Sequence, residues 1–107
     1  MPTDNYKLTD VAVTVADGVL RIGAQCGGPP GAQAWVRAWL SNEAGTLAET
    51  AINPVEAGSK VMVEVRIPKE LDPNERYTAY IRIESSPLET RQVVSTRLDY
   101  KLLIPHE

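Results

Sequence analysis

Between Lys60 and Ile67 the chain reads Lys-Val-Met-Val-Glu-Val-Arg-Ile, with Val61, Val63, Val65 and Ile67 at every second position and Lys60, Met62, Glu64 and Arg66 between them. A period of two places successive side chains on opposite faces of an extended strand. One face is then apolar and the other polar, as in an antiparallel sheet with one side on a core and the other in water. A helix cannot use this pattern, because its apolar positions recur at 3.6 residues.

The same alternation recurs along the chain. Val11, Val13 and Val15 mark a first strand over Lys7 to Val15, and Asp17-Gly18 is a short-hairpin turn. Leu20, Ile22, Ala24 and Cys26 lie on one face of a second, Val19 to Cys26, which Gly27-Gly28-Pro29-Pro30-Gly31 ends. Gln33 to Ser41 is the third, Thr46 to Ile52 a weaker fourth and Lys60 to Ile67 the fifth, with Asn53-Pro54 and Ala57-Gly58-Ser59 flanking a loop between the last two. After a loop over Pro68 to Arg76, the sixth runs from Tyr77 to Glu84 with Tyr77, Ala79, Ile81 and Ile83 inward. The seventh covers Arg91 to Ile104, with a bulge allowed, and Pro105 stops it. No segment reads as a helix. The absence of Phe and the abundance of β-branched residues suit pleated sheets. The expected fold is all-β: a two-sheet antiparallel sandwich of about seven strands, formed by residues 1–107 as a single domain.

Before the sixth strand, Leu71-Asp72-Pro73-Asn74-Glu75-Arg76-Tyr77 resembles the Leu-x-Pro-x-x-x-Tyr corner of the fibronectin type III family, a motif shared in kind by other immunoglobulin-like sandwiches. The resemblance implies an immunoglobulin/fibronectin-III-like topology. Leu71 and Pro73 would turn the chain between sheets, and the Tyr77 hydroxyl would anchor the corner on nearby backbone. Where that family carries a core tryptophan late in its second strand, this chain has Ala24 and Cys26, and it lacks the Arg-Gly-Asp adhesion loop.

Most chemistry is excluded. The single histidine, His106, is next to last, and the single cysteine, Cys26, is on an apolar strand face without a neighbouring base. Neither a zinc-ligand pattern nor a phosphate loop is present; the Gly27–Gly31 stretch lacks the Lys-Ser/Thr ending. Asp17, Asp72 and Glu75 could meet calcium only without the usual Asp-x-Asp spacing. The other carboxylates, Glu84 among them, are scattered over loops and outward positions. No metal, no cofactor and no catalytic residue is expected, and the protein reads as not an enzyme. A formal net charge of −3 without a basic run argues against nucleic acid. A polar N-terminus without an apolar core argues against a signal peptide. No segment approaches a membrane span. A cytoplasmic or virion-associated location follows as the expectation.

One surface stands out. In Ala34-Trp35-Val36-Arg37-Ala38-Trp39-Leu40 the arginine places Trp35, Arg37 and Trp39 outward, because arginine is rarely buried unpaired. Strand six would add Tyr80 and Arg82 beside them, and strand seven Arg97. Tryptophan, tyrosine and arginine are the residues that dominate interface hot spots. These six are the candidate partner-binding residues. The alternatives are that the tryptophans are covered locally, with Arg37 stacked between them, or that a bulge inverts the register and buries them. The expected function is a non-enzymatic interaction module docking on another protein or on copies of itself within a larger assembly, such as a virion decoration or tail subunit or a surface appendage. The alternative is a carbohydrate-binding module stacking sugar rings on Trp35 and Tyr80.

Overall fold

The computed structural model describes residues 6–50, 53–86 and 89–103. It is an antiparallel two-sheet sandwich. One sheet has three strands in the order β1 (Lys7–Ala16), β2 (Val19–Gly27), β6 (Lys60–Arg66). The other is ordered β4 (Gly45–Glu49), β3 (Gln33–Asn42), β7 (Tyr77–Ser86), β8 (Glu89–Leu98), with β5 (Asn53–Glu56) also on β3.

The strands follow from the alternation. Leu20, Ile22, Ala24 and Cys26 of β2 and Val63 and Val65 of β6 face Ala34, Val36, Ala38 and Leu40 of β3 and Tyr77, Ala79, Ile81 and Ile83 of β7. All are buried. Each large aliphatic side chain so buried contributes about 1.5–3 kcal/mol of transfer free energy. The β1–β2 hairpin closes through Asp17 and Gly18, both with positive φ (54° and 73°), the two-residue turn whose twist matches its strands. In β1, Asp10 has φ 53°, and the register jumps between Thr9 and Ala12. This bulge changes the parity of the strand, so that Leu8 and, beyond it, Val11, Val13 and Val15 all pack on the core.

Three details differ from the sequence expectation. There are eight described strands rather than seven, because the stretch beginning Asn53-Pro54 is not a loop flank: β5 pairs Gln33–Val36 of β3, with Pro54 opposite Trp35. Proline is tolerated there because β5 is an edge strand and needs no donor on its outer side. The fourth strand is shorter than expected; β4 ends at Glu49, and residues 51–52 lie outside the described set. The break between β4 and β5 is bridged at Ala38: the Thr50 N–H donates to its carbonyl at 2.8 Å, and its N–H donates to Thr50 Oγ1 at 3.1 Å. The last strand ends at Leu98, and Tyr100–Leu103 forms one helical turn, α1. Leu98 and Leu103 are both buried, a spacing that strand alternation cannot satisfy and a turn can. The expected bulge is present near the start of β8, where Ile83 pairs Gln92 and Glu84 pairs Thr90. Ile104, Pro105 and His106 lie outside the described residues. Among those described, no helix is long and apolar enough to cross a membrane.

Candidate functional site

The outer face of the five-stranded sheet is built by the residues that alternate with the core. With Ala34, Val36, Ala38 and Leu40 fully buried, Trp35, Arg37 and Trp39 project outward, and the inverted register is overturned. Antiparallel pairing sets Trp35 opposite Glu84, Arg37 opposite Arg82 and Trp39 opposite Tyr80. Paired residues share a face, so these six side chains form two adjacent rows. Val93, Ser95 and Arg97 extend the face on β8, opposite Arg82, Tyr80 and Thr78. On the other margin Glu49 lies opposite Trp39.

The aromatic centre is ordered by stacking. The Trp39 and Tyr80 rings have centroids 4.9 Å apart and planes 9° from parallel. The Arg82 guanidinium sits over the Trp39 ring at 5.5 Å. The cation on a tryptophan is therefore Arg82, not Arg37. Trp35, Arg37, Trp39 and Tyr80 are half-buried, while Arg97 is exposed at the edge and Val93 is 46% exposed. Five of the six expected residues lie on the paired strands β3 and β7; Arg97 is on β8 at the exposed margin, where with Tyr80 it lines a neighbouring cleft.

The burial of Glu84 is what the sequence does not show. It lies on the outward face of β7, as the alternation expects, yet it is enclosed there rather than solvated, at 1% exposed. Its Oε1 lies 2.6 Å from Arg82 Nε, an ion pair. The same atoms lack hydrogen-bond alignment, and the Arg37 Nε is buried without a partner. The close approach governs the energetics of Arg82 and Glu84, because charge attraction depends on separation more than on angle. The available signal was Arg82-x-Glu84: opposite charges two apart on one face of a strand.

The cleft beside this face has a volume of about 660 Å³ and is lined by Asn42, Glu75, Arg76, Tyr80, Arg97 and Tyr100 among others. Below it the Tyr77 hydroxyl accepts from the Asp72 N–H at 2.7 Å and donates to the Asp72 carbonyl at 2.8 Å. Burial raises the Tyr77 hydroxyl above the ordinary tyrosine value; the Asp72 backbone bond opposes this and the Glu75 and Asp72 carboxylates add to it. Asp72 Oδ1 is engaged by the Asn74 N–H. Among the described residues no cluster of His, Cys, Asp and Glu could hold a metal ion. Cys26 is wholly buried in the core, and that burial raises its thiol.

No family model matches the chain. No curated protein matches it either. Among solved structures it is similar to a Bacteroides fragilis protein assigned as a beta-galactosidase, with TM-score 0.51 and 12% identity over 89% of this chain and 15% of that chain. It also aligns with a beta-glucuronidase of glycoside hydrolase family 2 (TM-score 0.48, 10% identity, 88% and 11% of the two chains). A third is beta-glucosidase 3B from Thermotoga neapolitana (TM-score 0.47, 14% identity, 92% and 16%). The chain thus spans less than a fifth of the length of these proteins. At this identity the first likeness is one of fold alone: the chain is an antiparallel β-sandwich.

Proposed function

We propose that the chain is a non-enzymatic protein-interaction module of the immunoglobulin/fibronectin-III-like kind, docking through the outer face of β3, β7 and β8. The observation that carries this reading is the half-buried Trp39–Tyr80 stack with Arg82 over it, flanked by Trp35, Arg37 and the exposed Val93. Preordered aromatic and arginine side chains lose little entropy on binding and form the centre of energetic hot spots. The topological reading is supported by the Tyr77–Asp72 corner. The non-enzymatic reading is supported by the burial of Cys26 in the core. A docked partner fits a component of a larger assembly, a virion or surface appendage included. Sugar stacking on Trp35 and Tyr80 fits less well, because it needs a free, broad ring face and Tyr80 presents one of its faces to Trp39.

The test is capture from extract of the organism that makes the protein, using tagged wild type beside a Trp39→Ala, Arg82→Ala double variant shown to melt cooperatively. A protein retained by wild type and lost from the variant is the expected result. Equal retention by both would place binding elsewhere and refute the reading.

A further inference from the structure

At the centre of the face two arginines have, among the described residues, a single carboxylate within ion-pair distance, and it lies against Arg82. Arg37 and Arg82 stand directly opposite each other on β3 and β7. Like charges in that relation repel. Glu84 pairs with Arg82 through Oε1 at 2.6 Å, and its Oε2, like Arg37 Nε, is enclosed without a hydrogen bond. Among the described residues Arg37 makes no ion pair, and its Nε is shielded from water without a partner. Guanidinium groups are seldom left so, because an unmet buried donor forfeits its hydration. On its own strand Arg37 is flanked by Trp35 and Trp39, two residues either way on the same face. These walls restrict water and strengthen any charge pair formed between them.

We infer that Arg37, with Arg82 beside it, receives the carboxylate of an aspartate or glutamate side chain on a partner protein of a different kind. This rests on the docking reading above. A carboxylate matches the planar fork of a guanidinium and can take two parallel hydrogen bonds. It would bond the outer Nη groups of Arg37, the enclosed Nε being out of its reach, and relieve the repulsion between the arginines. A second copy turned face to face about the centre is disfavoured, since it would gather four guanidiniums against two Glu84 carboxylates. A nucleic acid is disfavoured by the net charge of −3, which repels a polyanion at long range. A single carboxylate on a folded partner meets the local positive charge without that cost.

The probe is a phage-displayed library of random peptides, selected on the full chain and counter-selected on Trp39→Ala. If Trp39→Ala does not fold, Val93→Arg, at an exposed position of the same face, takes its place. Peptides that depend on the face are then measured against wild type, Arg37→Gln and Arg37→Lys, and resynthesised with each Glu or Asp changed to its amide. The expected result is an acidic residue common to the binders. Its amide and Arg37→Gln should each weaken binding by on the order of tenfold to a hundredfold, and Arg37→Lys by less. Binders that depend on the face but are indifferent to Arg37→Gln and to carboxylate removal would overturn this inference while leaving the docking reading intact. A selection that yields no face-dependent binder would overturn both.

Discussion

Replacing Tyr77 by Phe removes one oxygen and nothing else from the corner. The hydroxyl accepts from the Asp72 N–H at 2.7 Å and donates to the Asp72 carbonyl at 2.8 Å. The ring is 2% exposed, so the phenyl group stays packed against the core without leaving a cavity. Each bond is worth a net 0.5–1.5 kcal/mol, roughly, and the partly buried amide left behind has no substitute. The loss is therefore about 1–3 kcal/mol. For a domain of this size it lowers Tm by roughly 4 °C or more per kcal/mol. Urea unfolding followed by tryptophan fluorescence measures the loss directly, with an unchanged slope if the fold is intact. Tyr80→Phe is the control: its hydroxyl has no hydrogen bond among the described residues, so about 0.5 kcal/mol or less is expected. The pH dependence supplies a second readout. The folded-state hydroxyl lies above its unfolded value, chiefly through burial. Its contribution is whole below the ordinary tyrosine range and is lost as pH rises through the higher folded value. Tyr77→Phe should abolish that part of the alkaline loss. A Tyr77→Phe cost below about 0.5 kcal/mol would refute the view that this corner fastens the loop between β6 and β7.

Glu84→Gln should cost about 1–3 kcal/mol, discounted from a fully buried pair because the Arg82 side chain is 23% exposed. A double-mutant cycle with Arg82→Met should recover a coupling near 1 kcal/mol or more, and additivity within error would show that the pair is not coupled. Cys26 should resist a thiol reagent at pH 8 and label only at the rate of unfolding, because it is wholly enclosed and its thiol is raised by burial. Rapid stoichiometric labelling of the native protein would contradict that placement. Gly18→Ala should cost about 1 kcal/mol from its φ of 73° alone, since an added Cβ meets nothing within 4 Å. Equal melting temperatures would argue against the two-residue turn.

The parts of the fold visible in the sequence are those governed by alternation. In β3 the buried and outward residues interleave as Ala34, Val36, Ala38 and Leu40 against Trp35, Arg37 and Trp39, because the arginine excludes the other choice. The tyrosine corner was equally visible, since its spacing is local. What escaped was set by partners remote in sequence. β5 holds Asn53 and Pro54, poor strand formers, and exists because β3 offers a free edge to pair with. Leu103 is buried through α1, since its odd spacing from the buried Leu98 does not fit strand alternation. Glu84 reads as an outward carboxylate two residues from Arg82 on one strand face; that Trp35 stands opposite it follows only from strand pairing. The candidate face was thus legible in residue type and direction, while the Trp39–Tyr80 stack and the facing of Arg37 and Arg82 required the register.

Whether the outer face of β3, β7 and β8 is the docking surface can be read by mapping a bound partner or selected peptide onto the chain by amide chemical-shift perturbation. The perturbed residues should concentrate at Trp35, Arg37, Trp39, Tyr80, Arg82 and Val93. A map centred instead on the opposite sheet, around the exposed Met62, or confined to the cleft at Asn42 and Tyr100, would contradict it.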